Sequence, residues 1–313
     1  MNFVLNFSLI FDFIVICLAF YFLYTRIFFI SLGLLIAKST YLYTSIYQAH
    51  LINFTFLPLL FGLLCLSKEN KIIFCKENLI NFLCLIVFMF ISIFLSKNTN
   101  FLSEISKVKI INLSIFTPLS EFGFIIFSIM AFLVLARCIK SMQYYLLLAY
   151  ILAFVQFLYT RLSLCSYFEF ASFVFFVYLI FKLYKAFFYD EMTKLPNQKM
   201  LRYYLKNKEN FVIALLHFNE FDYVQTAYKR LILRQLGKVL RKFKTKIFVS
   251  DDDFVLVFEN QNKALKHLAF LESLLRNKEF SIEDEKFKLD FKIVWSNNTK
   301  ELTQSLKDLK QRL

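Results

Sequence analysis

Residues 247–258 read IFVSDDDFVLVF: two apolar runs rich in β-branched and aromatic residues, flanking Ser250-Asp251-Asp252-Asp253. Such a run, a short polar turn and a second run read as a β-hairpin, and Ser and Asp are common turn formers. The stretch is therefore either a plain hairpin with an acidic turn or one shaped for catalysis. Phe211–Phe218 upstream is a continuous apolar run suited to a buried strand. Phe287–Trp295 downstream alternates, with Phe287, Leu289, Phe291, Ile293 and Trp295 on one side. Between and around these lie helical patterns. Asn197–Leu205 follows Pro196, Glu220–Phe243 carries an interruption near Tyr228–Arg230, and Glu301–Leu313 comes last. Asn262–Leu275 sets Leu265, Leu268, Leu271 and Leu275 on one face. Helices mixed with a central hairpin predict an α+β domain with a mainly antiparallel sheet.

The chain around this region is unusual in composition. It has 313 residues, 58% hydrophobic, with 43 Phe and only 4 Gly. A soluble domain has about 45–50% apolar residues. The excess lies before Lys182, whereas the chain from Lys182 onward holds 26 Lys and Arg against 17 Asp and Glu, +9 of the total +14. A boundary is expected there, giving a membrane domain over 1–181, a helical linker over 182–189 and a second domain over 190–313. The stretch FKLYKAFFYD (181–190) reads as the last apolar helix continuing outward. All six cysteines (17, 65, 75, 84, 138 and 165) lie in the apolar part with no C-x-x-C pair, which argues against a disulfide framework or zinc site.

A membrane-spanning helix needs about 20 mostly apolar residues. Seven spans are expected, near Phe3–Tyr24, Ile27–Tyr47, Leu51–Leu66, Leu79–Leu95, Leu119–Leu135, Tyr144–Tyr159 and Tyr167–Phe181. One set of connections holds Arg26, Lys68, Lys71, Lys76, Arg137, Lys140, Lys182 and Lys185 and is richer in positive charge than the other, with Lys97, Lys107, Lys109 and Arg161. The richer set belongs in the cytoplasm. That places the N-terminus outside, the C-terminal domain inside, and the chain in a bacterial inner membrane. The Ser96–Pro118 loop has no recognisable fold. Asp12 and Lys38 fall within spans; ionisable residues at depth often mark a pathway or ligand site, and the favoured reading here is that both reach the interface from near the span ends.

Three stretches, in order and spacing, resemble a GGDEF domain, the diguanylate cyclase family. YDEMTKLPNQKML (189–201) is similar to that family's D-x-L-T-G-L-P-N-R motif through Asp190, Thr193, Leu195, Pro196 and Asn197. FVIALLHFNEF (211–221) is similar to its first strand, which ends L-x-D-x-D-x-F, and SDDDF (250–254) stands where GGDEF itself would. The resemblance covers roughly Tyr189–Asn298. It implies a nucleotidyl-cyclase-like palm, whose active members join two GTP molecules into cyclic di-GMP, one per subunit of a dimer. In those members a strand carboxylate and the hairpin Glu hold Mg²⁺, a hard cation that takes oxygen ligands.

Position by position, this chain departs from that pattern. His217 stands at the strand carboxylate, and imidazole is a poor Mg²⁺ ligand. Asn219 stands at the second Asp, and Asp253 replaces the Glu, one methylene shorter; it is the one position of the pattern still suited to a metal. Ser250 and Asp251 replace the glycines, and Asp251 adds bulk and negative charge where a triphosphate would lie. Three adjacent carboxylates on one tight turn seldom converge on a single cation. The guanine-reading segment is about four residues short, leaving Gln225 at the Asn position and Lys229-Arg230 at the Gly-Asp position. The inhibitory R-x-x-D is absent, with Arg241 and Lys244 in its place, and KDLKQRL (307–313) does not match the family's closing A-D-x-A-L-Y-x-A-K helix.

The expectation is a membrane-anchored signalling or scaffold protein. Its GGDEF-like domain makes no use of a cofactor and works through protein contacts or weak nucleotide binding, with a cytoplasmic protein partner, a lipid bilayer and a homodimer in view. Degenerate site positions are His217, Asn219, Ser250, Asp251, Asp252 and Asp253, with Gln225 and Arg230 at the guanine positions. Two alternatives stay open: an active cyclase using GTP, with Asp252 and Asp253 on Mg²⁺, and a transport or assembly protein whose membrane domain does the work. The basic run RQLGKVLRKFKTK (234–246) reads as a solvated helix face rather than a DNA site. His267 is expected at the surface and Trp295 in the core.

Overall fold

A computed structural model describes residues 2–70, 72–98, 121–159, 169–206, 210–282, 285–298 and 302–312, together with 104, 107, 108, 110 and 208. The chain divides into two compact units, Met1–Phe181 and Lys182–Leu313.

The first unit is helical: α1 (Asn2–Tyr21), α2 (Thr25–Tyr43), α3 (Ile46–Leu66), α4 (Leu79–Lys97), α5 (Glu121–Ser141), α6 (Tyr144–Tyr159) and α7 (Glu169–Phe188), the last running past the unit boundary. Five of the seven expected spans are long and apolar enough to cross a membrane, while α1 and α6 contribute the shorter apolar stretches Leu9–Tyr21 and Tyr144–Val155. Aromatic rings fill the interior. Phe29, Phe54, Tyr150 and Phe175 are fully buried, and the Phe127 and Phe154 rings stack with centroids 3.7 Å apart. Large apolar side chains also face outward, among them Leu42, Ile80, Phe90 and Phe132.

Three expectations change in this unit. Gln48–His50 lie inside α3, because Ser45 caps that helix through Gln48 N. Arg137 and Lys140 lie in the final turns of α5 rather than in a connection. Asp12 and Lys38 do not reach an interface. Both are buried and form an ion pair, and Ser172 Oγ donates to Asp12 Oδ1 at 2.6 Å. The short connection after α1, with Leu23 at φ 57°, turns α2 back along it. Asp12 and Lys38 each stand roughly three helical turns from that connection, so they meet at one level. Most of the Ser96–Pro118 loop lies outside the described residues, as do Cys165, Arg161 and Lys71.

The second unit is α+β. A four-stranded antiparallel sheet runs β2 (Lys246–Ser250), β3 (Asp253–Phe258), β1 (Phe211–Phe218), β6 (Phe291–Asn298), and β4 (Phe280–Ile282) pairs separately with β5 (Glu285–Phe287). Side chains alternate across a strand. Val212, Ala214, Leu216 and Phe218 therefore pack with Ile232, Leu236, Leu268 and Leu271 of α9 (Thr226–Leu240) and α10 (Gln261–Arg276). Phe211, Ile213 and Leu215 pack with Leu201, Leu205, Leu306 and Leu309 of α8 (Gln198–Leu205) and α11 (Leu302–Lys310) on the other face. Helices on both faces explain why β1 reads as an unbroken apolar run.

Here too the elements refine the sequence reading. Phe287–Trp295 is two strands with three residues between them, because β5 turns back onto β4. The interruption before α9 falls after the 3₁₀ turn Asn219–Asp222, not at Tyr228–Arg230. Leu265 is exposed, and Ala264 takes its place on the buried stripe of α10. His267 is half-buried against Phe243 and Phe258, and Trp295 lies partly buried against the core.

Candidate functional site at the acidic hairpin

The segment leading into the second unit is built around Asp190. Its Oδ2 accepts from Met192 N (3.0 Å), Thr193 N (2.7 Å) and Thr193 Oγ1 (2.8 Å). The loop then folds back, with Asp190 N donating to Leu195 O and Lys194 N to Asp190 O. Lys194 sits at φ 58°, in the left-handed region, at the position where the D-x-L-T-G-L-P-N-R motif has glycine. Asn197 caps α8, its Oδ1 accepting from Lys199 N and Met200 N, and its Nδ2 donates to Phe187 O. Pro196 O accepts from Val249 N at 2.8 Å, which docks the loop on β2 beside the hairpin. Gly237 of α9 admits this loop. A Cβ there would lie 2.4 Å from Thr193 O and 2.7 Å from Thr193 Cα.

The hairpin turn is Asp251-Asp252, closed by the Ser250–Asp253 pair. Asp251 has φ 56°, and it alone in the turn is positive, the sign pattern of a type II′ turn that favours glycine at this point. Ser250 and Asp253 are buried. Alternation places His217, at the end of β1, on the α8/α11 face, together with Asp253 at the start of β3. His217 Nδ1 lies 2.7 Å from Asp253 Oδ1, the ring N–H donating to the carboxylate. The other oxygen, Oδ2, lies 3.2 Å from Lys310 Nζ, which also donates to Asp251 Oδ2 at 3.3 Å. Asp252 pairs with Lys229 Nζ at 2.7 Å, and Lys229 further donates to Phe221 O at 3.3 Å. Partial burial works to lower the Lys310 ammonium, but hydrogen bonds and charge from Asp253 and then Asp251 hold it above its ordinary value.

An open cleft of about 720 Å³ lies over this cluster, lined by His217, Asn219, the three aspartates, Tyr223, Lys292 and Lys310. The structure thus brings together six expected positions: Asn219, His217 and the Ser250–Asp253 turn. Asn219 is committed elsewhere, since its Nδ2 donates to Asp290 Oδ2 and its backbone N–H to Asp290 O. Gln225 and Arg230 are both exposed, Gln225 makes no side-chain cap to α9, and neither lines the cleft. Lys310, Lys292 and Tyr223 were not singled out in the sequence. Lys292 had a signal, because strand alternation sets it on the face opposite Phe291 and Ile293, and its register partner is His217. Lys310 had none.

The donor set does not fit a pair of Mg²⁺ ions. Such ions take hard oxygen ligands. Here both oxygens of Asp253 are engaged by cationic or N–H groups of the chain itself. Among the described residues no three His, Cys, Asp or Glu side chains converge on one point.

No family model matches the chain, and no curated protein does. Solved structures do. The chain is similar to the FimX GGDEF domain from Pseudomonas aeruginosa at 16% identity and TM-score 0.36, covering 40% of this chain and 90% of that one. It is similar to diguanylate cyclase SiaD, solved in complex with its activator SiaC from Pseudomonas aeruginosa, at 15% identity and TM-score 0.38, covering 44% and 60%. A diguanylate cyclase/phosphodiesterase from Caldicellulosiruptor saccharolyticus gives 18% identity and TM-score 0.34, covering 42% of this chain and 84% of that one.

Proposed function

We propose that this is a membrane-anchored signalling protein whose second unit is a GGDEF-like domain without cyclase activity, acting in the cytoplasm by contact with a partner protein. One observation carries this reading: Asp253, the carboxylate left at the metal position, is held by His217 at 2.7 Å, and His217 itself stands where the second carboxylate would be needed. A metal pair in phosphoryl chemistry neutralises charge and orients the attacking oxygen. A histidine hydrogen-bonded to the remaining carboxylate supplies neither function. The motif geometry around Asp190 and Asn197 supports descent from a GGDEF-like palm, since each matching residue has a defined structural task. The outward apolar faces of the first unit support insertion in a bilayer. The Lys and Arg distribution supports an inner membrane with the second unit inside.

The test is direct. Full-length protein in detergent is incubated with GTP and Mg²⁺, and the products are read by mass spectrometry. No cyclic di-GMP above a protein-free control is expected; its formation overturns the reading.

A further inference from the structure

The geometry points to Lys310 as the hairpin's own cation: its ammonium, carried by α11, sits between Asp251 and Asp253 and neutralises the turn in place of a divalent ion. This inference rests on the reading of the hairpin as one that descends from a metal-binding ancestor.

Three features support it. The first is charge matching. The turn carries three adjacent carboxylates, and each has a cation of the same chain: Lys310 for Asp251 and Asp253, Lys229 for Asp252. Like charges this close repel unless compensated. The second is the second arm. Lys310 Nζ lies 3.3 Å from Asp251 Oδ2 and 3.2 Å from Asp253 Oδ2, so it bridges two carboxylates. With glycine at 251 it would keep one partner. Asp251, at a left-handed φ of 56°, supplies the other. The third is anchorage. Leu306 and Leu309 of α11 are buried in the core shared with β1 and β3, which sets the ammonium beside the turn. Lys310 itself is 42% exposed, so its head group is replaceable without opening the core.

A tethered ammonium and a divalent ion compete for the same carboxylate oxygens. The ammonium and the ion also carry like charge, so they repel when held on the same oxygens. The wild type is therefore a poor divalent-ion site, and removal of the ammonium creates a better one.

The experiment uses the full chain in nanodiscs with Mn²⁺ alone, free ion being read by electron paramagnetic resonance. No nucleotide is present, so the result is separate from that of the cyclase assay. Lys310→Ala is expected to bind Mn²⁺ about tenfold or more tightly than wild type, a difference of about 1.4 kcal/mol. Lys310→Arg should behave as wild type, and Lys310→Ala combined with Asp253→Asn should lose the gain. Lys310→Met keeps the aliphatic stem and guards against a packing defect in the Ala variant, with thermal unfolding checking both. Equal Mn²⁺ affinity in wild type and a folded Lys310→Ala or Lys310→Met overturns the proposal. So does a gain that survives Asp253→Asn.

Discussion

Single residues carry much of the second unit's local order. Asp190 satisfies three donors with one oxygen. Hydrogen bonds to charged groups are worth about 1.5–3 kcal/mol, so Asp190→Ala should lower stability by about that much in denaturant titration of the second unit's signal. Lys194 is the opposite case. A non-glycine residue in the left-handed region costs roughly 1–2 kcal/mol, while glycine's extra freedom when unfolded costs about 0.5–1. Lys194→Gly should therefore stabilise by about 0.5–1 kcal/mol, visible as a raised midpoint at unchanged slope. In the first unit, Lys38→Met alone strands the Asp12 carboxylate in a buried position and should cost about 3–5 kcal/mol. Adding Asp12→Leu should restore most of the loss, since a matched apolar pair replaces a matched charged one. Melting in detergent distinguishes the two variants. The matching residues of the opening motif were legible in the sequence because each does a local task. Lys194 was not read that way: the lysine itself carries no mark of a left-handed φ, and only the glycine of the motif at that position does. The Asp12–Lys38 pair was also hidden, because pairing depends on where one helix turns back on another.

At the level of elements, close approach decides what is tolerated. Gly237→Ala places a methyl 2.4 Å from a backbone oxygen, which cannot rotate away. Overpacking of this kind costs about 1–3 kcal/mol, so the variant should melt early, with hydrogen exchange rising first in residues 190–197. Elements with a clean period were legible: β1 at Phe211–Phe218 and α8 after its Asn197 cap follow directly from apolar spacing and capping chemistry. Where two signals overlapped, the sequence misled. Phe287–Trp295 keeps its alternation through residues 288–290, so nothing local marks the break that sends β5 back to β4. Leu265 fits a helical stripe as well as Ala264 does; only the packing of α10 in the folded domain decides between them.

For the molecule as a whole, the proposed loss of cyclase activity draws on distant parts of the chain. His217→Asp with Asp251→Gly brings two positions back to the motif's residue types, one near the end of β1 and one in the hairpin turn. Gln225 and Arg230 are still outside the cleft lining, and Lys229 still holds Asp252. The double variant should make no cyclic di-GMP when assayed as the wild type is; turnover would count against the assignment of Gln225 and Arg230 to the motif's guanine positions. The cluster itself was half legible. His217 and the three aspartates stood out because they break a motif. Lys310 lies 57 residues beyond Asp253, and only the packing of α11 brings it there.

β2 ends the sheet, and its outer side offers N–H and C=O groups to any chain that can pair with them. Such edges template aggregation. Here the segment that lies along it begins with Pro196, which accepts from Val249 N and has no N–H to give back. The ladder cannot run back through the proline nitrogen, α8 begins at Gln198, and β2 is only five residues long, opening with a lysine. The loop thus covers part of the β2 edge of the sheet.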